Sequence, residues 1–211
     1  EEVGAEAPRL GLEFAKAQHT GLHRKLHKRL GQRGAGGGAH LVLQGDALAF
    51  RLVTLNLNGI RSAAKKGFLE WAASASADCM GVQEVKAQSE DLDDSLTRVG
   101  GAAGHFHFAQ KKGYSGVGLY TKKAPSDVIT GFGNKEFDAE GRWVETRFDT
   151  AKRRLSIISC YFPSGSSGDE RQAAKFRFLG QMFPHLMKLK AEREFILVGD
   201  VNIAHKEIDL R

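Results

Sequence analysis

Short apolar runs alternate with stretches of helical periodicity along most of the chain. Apolar, β-branched runs predict strands at residues 50–57, 79–82, 105–108, 117–120, 128–131, 143–148, 155–162 and 194–199. Apolar residues at helical spacing predict helices at 61–77, 89–99 and 170–190, and Pro184 is expected to kink the last of them. Strands and helices that alternate in this way, with hairpins between some strands, predict an α/β fold of layered helices and mixed sheets.

The first 48 residues differ from the rest of the chain. No acidic residue occurs between Phe14 and Gly45, and residues 34–38 form the glycine-rich run GAGGG. We therefore expect residues 1–48 to be a basic, glycine- and histidine-rich tail or linker, followed by one domain over 49–211. Histidines and leucines recur here at a spacing of four: His19, His23, His27, Leu22, Leu26 and Leu30. This spacing suits a short helix with a metal-binding face, although a solvated basic helix or plain disorder explains it more simply.

The composition is that of a basic globular protein. Of the 211 residues, 41% are hydrophobic, which is enough for a core and excludes wholesale disorder. The formal net charge of +6 suits a polyanionic partner. Two cysteines cannot form a disulfide framework, so we expect a reducing, intracellular setting such as the cytoplasm. No apolar run is long enough to span a bilayer, so we expect no membrane partner, and we expect a monomer.

Four of the predicted strands end in polar residues that a buried strand does not require. These residues are Asn56 and Asn58, Gln83 and Glu84, Tyr161, and Asp200 and Asn202. In open α/β sheets the ligand crevice lies beyond the carboxyl ends of the strands, so these side chains are expected to share one cleft. They offer carboxylate, amide and phenol oxygens and no thiolate, which predicts a site for a hard cation such as Mg²⁺ or Mn²⁺.

Each of these residues also has a simpler interpretation. Asn58 lies beside Gly59 and is a typical turn former, and Glu84 is of a type that usually lies at the surface. The segment from Asp200 to Asn202 suits an Asx turn, and Tyr161 suits a core position with its hydroxyl at the rim. It is the shared position at strand ends that favours a functional site.

Six segments resemble, in order, the exonuclease III family of class II abasic-site (AP) endonucleases. They are LNLNGIR (55–61), GVQEVK (81–86), GYSGVGLYTK (113–122), EGRW (140–143), CYFPSG (160–165) and GDVNIAHKEIDLR (199–211). That family has the larger endonuclease/exonuclease/phosphatase fold. The resemblance therefore implies a layered α/β sandwich with mixed sheets, of which residues 49–211 form the N-terminal part and the second half is incomplete.

The resemblance implies a role for each polar residue at the strand ends. Glu84 is similar to the family's main metal carboxylate, with Asn56 beside it as an amide ligand or an orienting group. Asp200 is similar to the aspartate that deprotonates the attacking water, and Asn202 and Tyr161 to the groups that contact the scissile phosphate. The implied metal residues are Asn56, Glu84, Asp200 and Asn202, and the implied catalytic residues are Tyr161, Asp200 and Asn202.

The implied reaction is Mg²⁺-dependent hydrolysis of double-stranded DNA on the 5′ side of an abasic site. Mn²⁺ is an alternative ion, and 3′–5′ exonuclease and 3′-phosphatase activities are further options within the family. The residues expected to contact DNA are Asn58, Lys86, Lys112, Tyr114 and Arg142. Lys111, Lys122 and Lys123 add positive charge to loops expected near the cleft. For any single lysine, a solvated surface position is the commoner outcome.

The chain also departs from the family pattern. Val85 stands where the family usually has threonine, so a hydroxyl is expected to be lost beside the metal ligand. The sequence ends at Arg211, without the further catalytic aspartate and the terminal Asp-His pair that the resemblance implies. We therefore expect the 211-residue chain itself to be inactive or nearly so.

Two other functions remain open on the sequence. The QE and GD-x-N motifs also occur in phosphodiesterases and phosphatases of the same superfamily that act on lipid or inositol phosphates. The second alternative is a fragment that binds nucleic acid through its basic surface and has no catalytic activity.

Overall fold

The computed structural model describes the backbone of residues 38–43 and the whole of residues 50–165 and 168–203. The histidine and leucine pattern at residues 19–30 and most of the predicted tail lie outside the described residues, as do residues 204–211.

The described residues form ten strands, five α-helices and one short 3₁₀ turn. The strands are β1 Gly38–Leu43, β2 Phe50–Asn56, β3 Cys79–Gln83, β4 Arg98–Val99, β5 Ala102–His107, β6 Val117–Thr121, β7 Asp127–Thr130, β8 Trp143–Asp149, β9 Arg154–Tyr161 and β10 Glu194–Asp200. The helices are α1 Ile60–Lys65, α2 Phe68–Ala75, α3 Asp94–Thr97, α4 Lys135–Asp138 and α5 Asp169–Glu192, and the 3₁₀ turn is Ser89–Asp91.

The strands form two mixed sheets. Sheet A has the order β1-β2-β3-β6-β5-β4, in which only β2 and β3 are parallel. Sheet B has the order β10-β9-β8-β7, in which only β9 and β10 are parallel. The α/β class and the mixed sheets predicted from the sequence are confirmed.

Three apolar clusters hold the layers together. Between the sheets lie side chains from both: Leu52, Cys79, Val117, Leu119, Val144 and Ile157. On the outer face of sheet A, α1 and α2 pack through residues such as Ile60 and Phe68 against Val53 and Val82. On the outer face of sheet B, α5 packs through Phe178. The order helix, sheet, sheet, helix follows because each sheet has two apolar faces to bury.

Most predicted strands are observed within one or two residues, whereas two predicted helices differ. The helix predicted at 61–77 is divided into α1 and α2, because Gly67 adopts a left-handed φ of 90° that interrupts helical hydrogen bonding. The segment 89–99 contains the 3₁₀ turn, α3 and the two residues of β4 instead of one helix. α5 continues through Pro184 from Asp169 to Glu192.

β1 lies inside the segment that the sequence assigns to the tail or linker. Its backbone pairs antiparallel with β2, with Gly38 opposite Leu55 and Leu43 opposite Phe50. Sheet A therefore extends upstream of residue 49, the predicted start of the domain.

The four strands predicted to carry polar ends finish at the same end of the sandwich. Asn56 at the end of β2 is opposite Gln83 at the end of β3, and Tyr161 at the end of β9 is opposite Asp200 at the end of β10. The buried amide of Gln83 donates to Ser159 Oγ at 2.9 Å and to Thr54 Oγ1 at 3.1 Å, and so ties the two sheets together. None of the helices described here is long and apolar enough to cross a membrane.

Candidate active site

One amide joins carboxylates from the two sheets at this end of the sandwich. Asn56 Nδ2 donates to Glu84 Oε1 at 2.7 Å and to Asp200 Oδ2 at 2.9 Å. The backbone N–H of Asn58 donates to Asn56 Oδ1 at 2.9 Å, which fixes the direction of the amide. With this orientation Asn56 acts as a donor between two carboxylates, so of its two implied roles the structure favours the orienting one.

The loops that leave the strands are bent by residues in the left-handed region. Asn58, Glu84, Lys86 and Asn202 have φ values of 47°, 52°, 50° and 50°. Such conformations are uncommon for residues other than glycine and cost on the order of 1 kcal/mol each, so surrounding contacts must hold them. Backbone hydrogen bonds from Val85 to Gly116 and from Lys86 to Ser115 do this for the loop after β3.

Lys86 lies on the other side of the Glu84 carboxylate. Its Nζ is 2.7 Å from Glu84 Oε2 and donates to Asn58 Oδ1 at 2.6 Å. Partial burial alone would raise the pKa of Glu84, but hydrogen bonds from Asn56, Lys86 and Tyr161 and the charge of Lys86 outweigh it and lower the pKa. Glu84 is therefore ionised at neutral pH.

Tyr161 reaches the same carboxylate from the end of β9. Its hydroxyl donates to Glu84 Oε1 at 3.0 Å. Burial raises the pKa of Tyr161 above its ordinary value, and the negative charge of Glu84 raises it further. The side chain is consequently a neutral phenol and a hydrogen-bond donor at any physiological pH.

Asp200 and Asn202 lie in the turn after β10. The backbone N–H of Asn202 donates to Asp200 Oδ1 at 3.2 Å, which is the Asx-type contact foreseen as the simpler interpretation. The side-chain Nδ2 of Asn202 donates to the carbonyl of Phe162 at 2.9 Å, and this leaves one of its two N–H hydrogens for a ligand. The turn and the site thus share residues, so the two interpretations do not exclude each other.

Apart from Arg142, the residues predicted to contact DNA and the lysines predicted near them fall into three groups. Lys86 and Asn58 border the Glu84 carboxylate, as described above. Lys112 is exposed on the loop between β5 and β6, and its Nζ lies 3.7 Å from Oε1 of Glu90. Tyr114 is half-buried on the same loop. Lys122 and Lys123 follow the last residue of β6. The Lys122 N–H donates to the carbonyl of Asp78, which precedes β3, so both lysines lie at the end of the sheet opposite to the site. Their predicted position near the cleft is wrong.

Arg142 is placed differently from the prediction, because its side chain is 1% exposed. It pairs with Glu140 and donates to the carbonyl of Tyr161 at 3.0 Å and to the hydroxyl of Tyr114 at 2.9 Å. Its guanidinium also lies 5.0 Å from the centre of the Tyr161 ring. A direct contact with DNA is therefore not supported for Arg142, which instead supports two tyrosines from within the protein.

Val85 is fully buried in the apolar cluster under α1 and α2. The expected loss of a hydroxyl beside the metal ligand stays a prediction. The side chain that replaces it belongs to the core, and only the backbone of Val85 takes part in the loop.

Two cations of α5 that were not among the predicted site residues also lie at the site. Arg171 donates to the hydroxyl of Tyr114 at 2.6 Å, and Lys175 donates to the carbonyl of Asn202 at 2.6 Å. They are four residues apart and so share one face of the helix. The sequence signal that could have identified them is this pair of cations four residues apart, next to the acidic first turn of a predicted helix.

The donors in this cluster suit a hard divalent cation. Glu84, Asp200, Asn56 and Asn202 offer carboxylate and amide groups, and both cysteines are buried elsewhere. Among the described residues no three His, Cys, Asp or Glu side chains come together as a metal-binding group. Two carboxylates are nevertheless what Mg²⁺ commonly uses, since it keeps several of its waters and binds substrate phosphates directly.

Comparison with known proteins identifies the family. The model of the endonuclease/exonuclease/phosphatase family matches residues 53–211. The chain is 32% identical over 164 residues to an exodeoxyribonuclease of Bacillus subtilis, covering 76% of this chain and 62% of the relative. It is also 32% identical over 164 residues to a DNA-(apurinic or apyrimidinic site) endonuclease of Dictyostelium discoideum, covering 76% of this chain and 44% of the relative.

The structure is similar to the catalytic domain of Xenopus laevis APE2, with a TM-score of 0.63 and 28% sequence identity over 74% of this chain and 59% of that domain. The chain thus spans less than two thirds of the length of each of these relatives. The resemblance carried by the six sequence segments is confirmed. With a family match over most of its length and the matching two-sheet fold, the chain belongs to the endonuclease/exonuclease/phosphatase family.

Proposed function

We propose that this chain carries the site of a DNA repair nuclease that hydrolyses the phosphodiester 5′ to an abasic site in double-stranded DNA. The observation that supports it best is the convergence of Glu84 and Asp200, from different sheets, on the amide of Asn56. Relatives that are named exodeoxyribonuclease and DNA-(apurinic or apyrimidinic site) endonuclease support DNA as the substrate. Exonuclease and 3′-phosphatase activities would use the same groups.

The cofactor we propose is Mg²⁺, with Mn²⁺ as a substitute. Glu84 and Asp200 would hold it, because their carboxylates offer hard oxygen ligands. Asn56 would orient the two carboxylates, and Asn202 lies beside Asp200. The low pKa of Glu84 keeps one ligand ionised at neutral pH. When bound, the ion would offset the negative charge that develops on the phosphate oxygens during hydrolysis.

The chain's own groups would do the remaining chemistry. Asp200 would accept a proton from the attacking water, since a carboxylate within reach of the phosphate can act as a general base. The free N–H of Asn202 would donate to a phosphate oxygen as charge builds on it. The neutral phenol of Tyr161 would turn its single O–H from Glu84 to the phosphate. Arg142 would hold Tyr161 in place through its backbone carbonyl and its ring.

DNA would approach across the loop between β5 and β6. Lys112 is exposed there. Arg142 and Arg171 hold the hydroxyl of Tyr114, and its ring would pack against the sugar-phosphate backbone of the DNA. Lys86 and Asn58 lie closer to the metal-binding carboxylates and would contact the phosphate beside the abasic site. Contacts of this kind position the duplex and carry little base specificity, which suits recognition of a missing base.

The test compares two duplexes of one sequence, one with a central tetrahydrofuran abasic analogue and one intact. Binding is followed by fluorescence anisotropy, and product by gel in Mg²⁺. We expect tighter binding of the abasic duplex, and any product should end 5′ to the lesion and disappear in Asp200→Asn. Asp127→Asn, an exposed carboxylate on β7, is the matched control and should behave as the wild type.

Hydrolysis of an inositol phosphate, with neither duplex bound nor cut, would contradict the proposal and favour a phosphatase or phosphodiesterase of the same family. Selective binding without product would support the substrate class and agree with the expected inactivity of the 211-residue chain. Nicking that Asp200→Ala abolishes would support the nuclease and contradict only the expected inactivity.

A further inference from the structure

α5 has a second apolar face, which points away from sheet B. Its inner face buries Phe178 and Met182 among others. On the opposite side, apolar or small residues recur at alternating intervals of three and four: Ala173, Phe176, Gly180, Phe183 and Met187, here called the α5 stripe. Phe176, Phe183 and Met187 are 62%, 41% and 39% exposed. A surface helix normally has one apolar face, so a second continuous one calls for a partner.

The spacing of the α5 stripe indicates the kind of partner. Intervals of three and four are those of a helix that packs lengthwise against another helix. Gly180 lies at the middle of the stripe, and a Cβ placed there would meet nothing within 4 Å. The stripe therefore has a gap at its centre, flanked by the two large side chains of Phe176 and Phe183. A second helix could bring a large side chain into that gap.

The charges at the two ends of α5 favour a copy of α5 itself in the opposite direction. The first turn carries Asp169 and Glu170, and the last two turns carry Lys188 and Lys190 together with Glu192. Arg171 also lies in the first turn, but it is bound to Glu140 and Tyr114 at the site. In an antiparallel pair, the acidic end of one copy faces the basic end of the other at both ends of the interface. The helix dipoles also attract in this arrangement and repel in a parallel one.

We propose that two copies of the chain associate through the α5 stripe as an antiparallel, two-fold symmetric dimer. Phe183 of each copy packs over Gly180 of the other, and Phe176 packs against Met187. Because a two-fold interface joins the same surface on both copies, one self-complementary stripe is sufficient. This proposal replaces the monomer expected from the sequence, and it does not depend on the nuclease function.

The experiment is sedimentation velocity of the 211-residue chain over a concentration series from low micromolar to several hundred micromolar. The wild type should pass from monomer to dimer. Gly180→Leu fills the gap that Phe183 of the other copy would occupy, so it should weaken the dimer by about tenfold or more. The same change should not destabilise the monomer, because the position is open and leucine is a better helix former than glycine.

Charge reversal tests the direction of the helices. Glu170→Lys and Lys190→Glu should each weaken the dimer, and the double variant should restore it, since the opposite charges then face each other again. Val128→Glu, which changes an exposed apolar residue on β7, is the control away from α5 and should leave association unchanged.

Three results would overturn the proposal. The first is a monomer at every concentration, which would favour another occupant of the stripe, such as the Leu22, Leu26 and Leu30 segment of the same chain. The second is a dimer that Gly180→Leu and Phe183→Glu do not weaken. The third is a double variant, Glu170→Lys with Lys190→Glu, whose dimer is as weak as those of the single variants. Circular dichroism and thermal unfolding of each variant exclude a loss of folding as the cause.

Discussion

The side-chain amide of Asn56 lies 2.7 Å from Oε1 of Glu84, on the loop that follows the neighbouring strand of the same sheet. The same nitrogen is 2.9 Å from a carboxylate oxygen of Asp200, which is 144 positions away in the chain and belongs to the other sheet. One neutral donor thus holds two carboxylates near each other at the mouth of the sandwich. If this donor is lost, the two negative charges are expected to repel each other more strongly.

Asn56→Ala should destabilise the metal-free chain by about 1–3 kcal/mol, because each carboxylate loses a hydrogen bond and their repulsion increases. Added Mg²⁺ should recover part of this loss, since a cation between the carboxylates replaces the donor. The measurement is the free energy of unfolding in urea with and without Mg²⁺. Gln181→Ala, which removes an exposed amide from α5, is the control and should show neither effect.

Arg142 and Lys112 should respond differently to substitution. Arg142→Met removes a buried guanidinium and leaves Glu140 without its main partner, so we expect a loss of stability of about 2–4 kcal/mol. Lys112→Ala should leave stability unchanged and reduce the salt dependence of DNA binding by about one unit in the slope of log K against log salt.

The salt slope is the discriminating measurement for these two variants. If Arg142→Met kept full stability and reduced the slope as Lys112→Ala does, Arg142 would be a DNA contact and its supporting role would be wrong.

Gly199→Ala should disrupt the end of β10. Gly199 has a φ of 152°, and a Cβ there would overlap the carbonyl oxygen of Cys160 on the neighbouring strand. The strand would have to move, and Asp200 would move with it. We expect a large fall in melting temperature or a chain that does not fold. Gly180→Ala, at an open helical position, is the matched control and should stabilise the chain by up to about 1 kcal/mol.

Glu140 should make stability depend on pH in acid. Burial alone would raise the pKa of Glu140, but the charge and hydrogen bonds of Arg142 and Arg171 outweigh it and lower the pKa below its ordinary value of 4.5. A carboxyl group with a lowered pKa in the folded state stabilises the protein above pH 4.5, and this contribution is lost as the pH falls through the folded pKa.

The measurement is the free energy of unfolding of the wild type and of Glu140→Gln from neutral pH down to pH 3, near the end of an ordinary carboxyl titration. The difference between the two should be largest near neutrality and should shrink in acid. A difference that stays constant over this range would show that Glu140 does not contribute through its ionisation.

The sequence predicted the site better than the parts of the fold that support it. Polar residues at the ends of apolar strands are visible locally, so the meeting of Asn56, Glu84 and Asp200 followed from the rule that such ends share one edge of a sheet. The burial of Arg142 was not visible, because its charge is balanced by Glu140 and by groups that only the folded chain brings near. A surface position is the usual expectation for arginine.

The helices were predicted less well for a similar reason. Gly67 divides α1 from α2 through a left-handed conformation that the surrounding apolar spacing does not reveal. The second apolar face of α5 was also missed, because its inner and outer residues together resemble a single apolar helix until the sheet shows which side is covered. In each case the deciding contact is made by residues distant in the chain.

We propose that Glu84 and Asp200 form one site for a divalent cation, and titration with Mn²⁺ followed by electron paramagnetic resonance tests this most directly. We predict one bound ion per chain that Mg²⁺ displaces, with the bound signal lost in Glu84→Gln and in Asp200→Asn and retained in Asp127→Asn. A bound signal unchanged by both substitutions, or no bound ion in the wild type at millimolar Mn²⁺, would contradict the account.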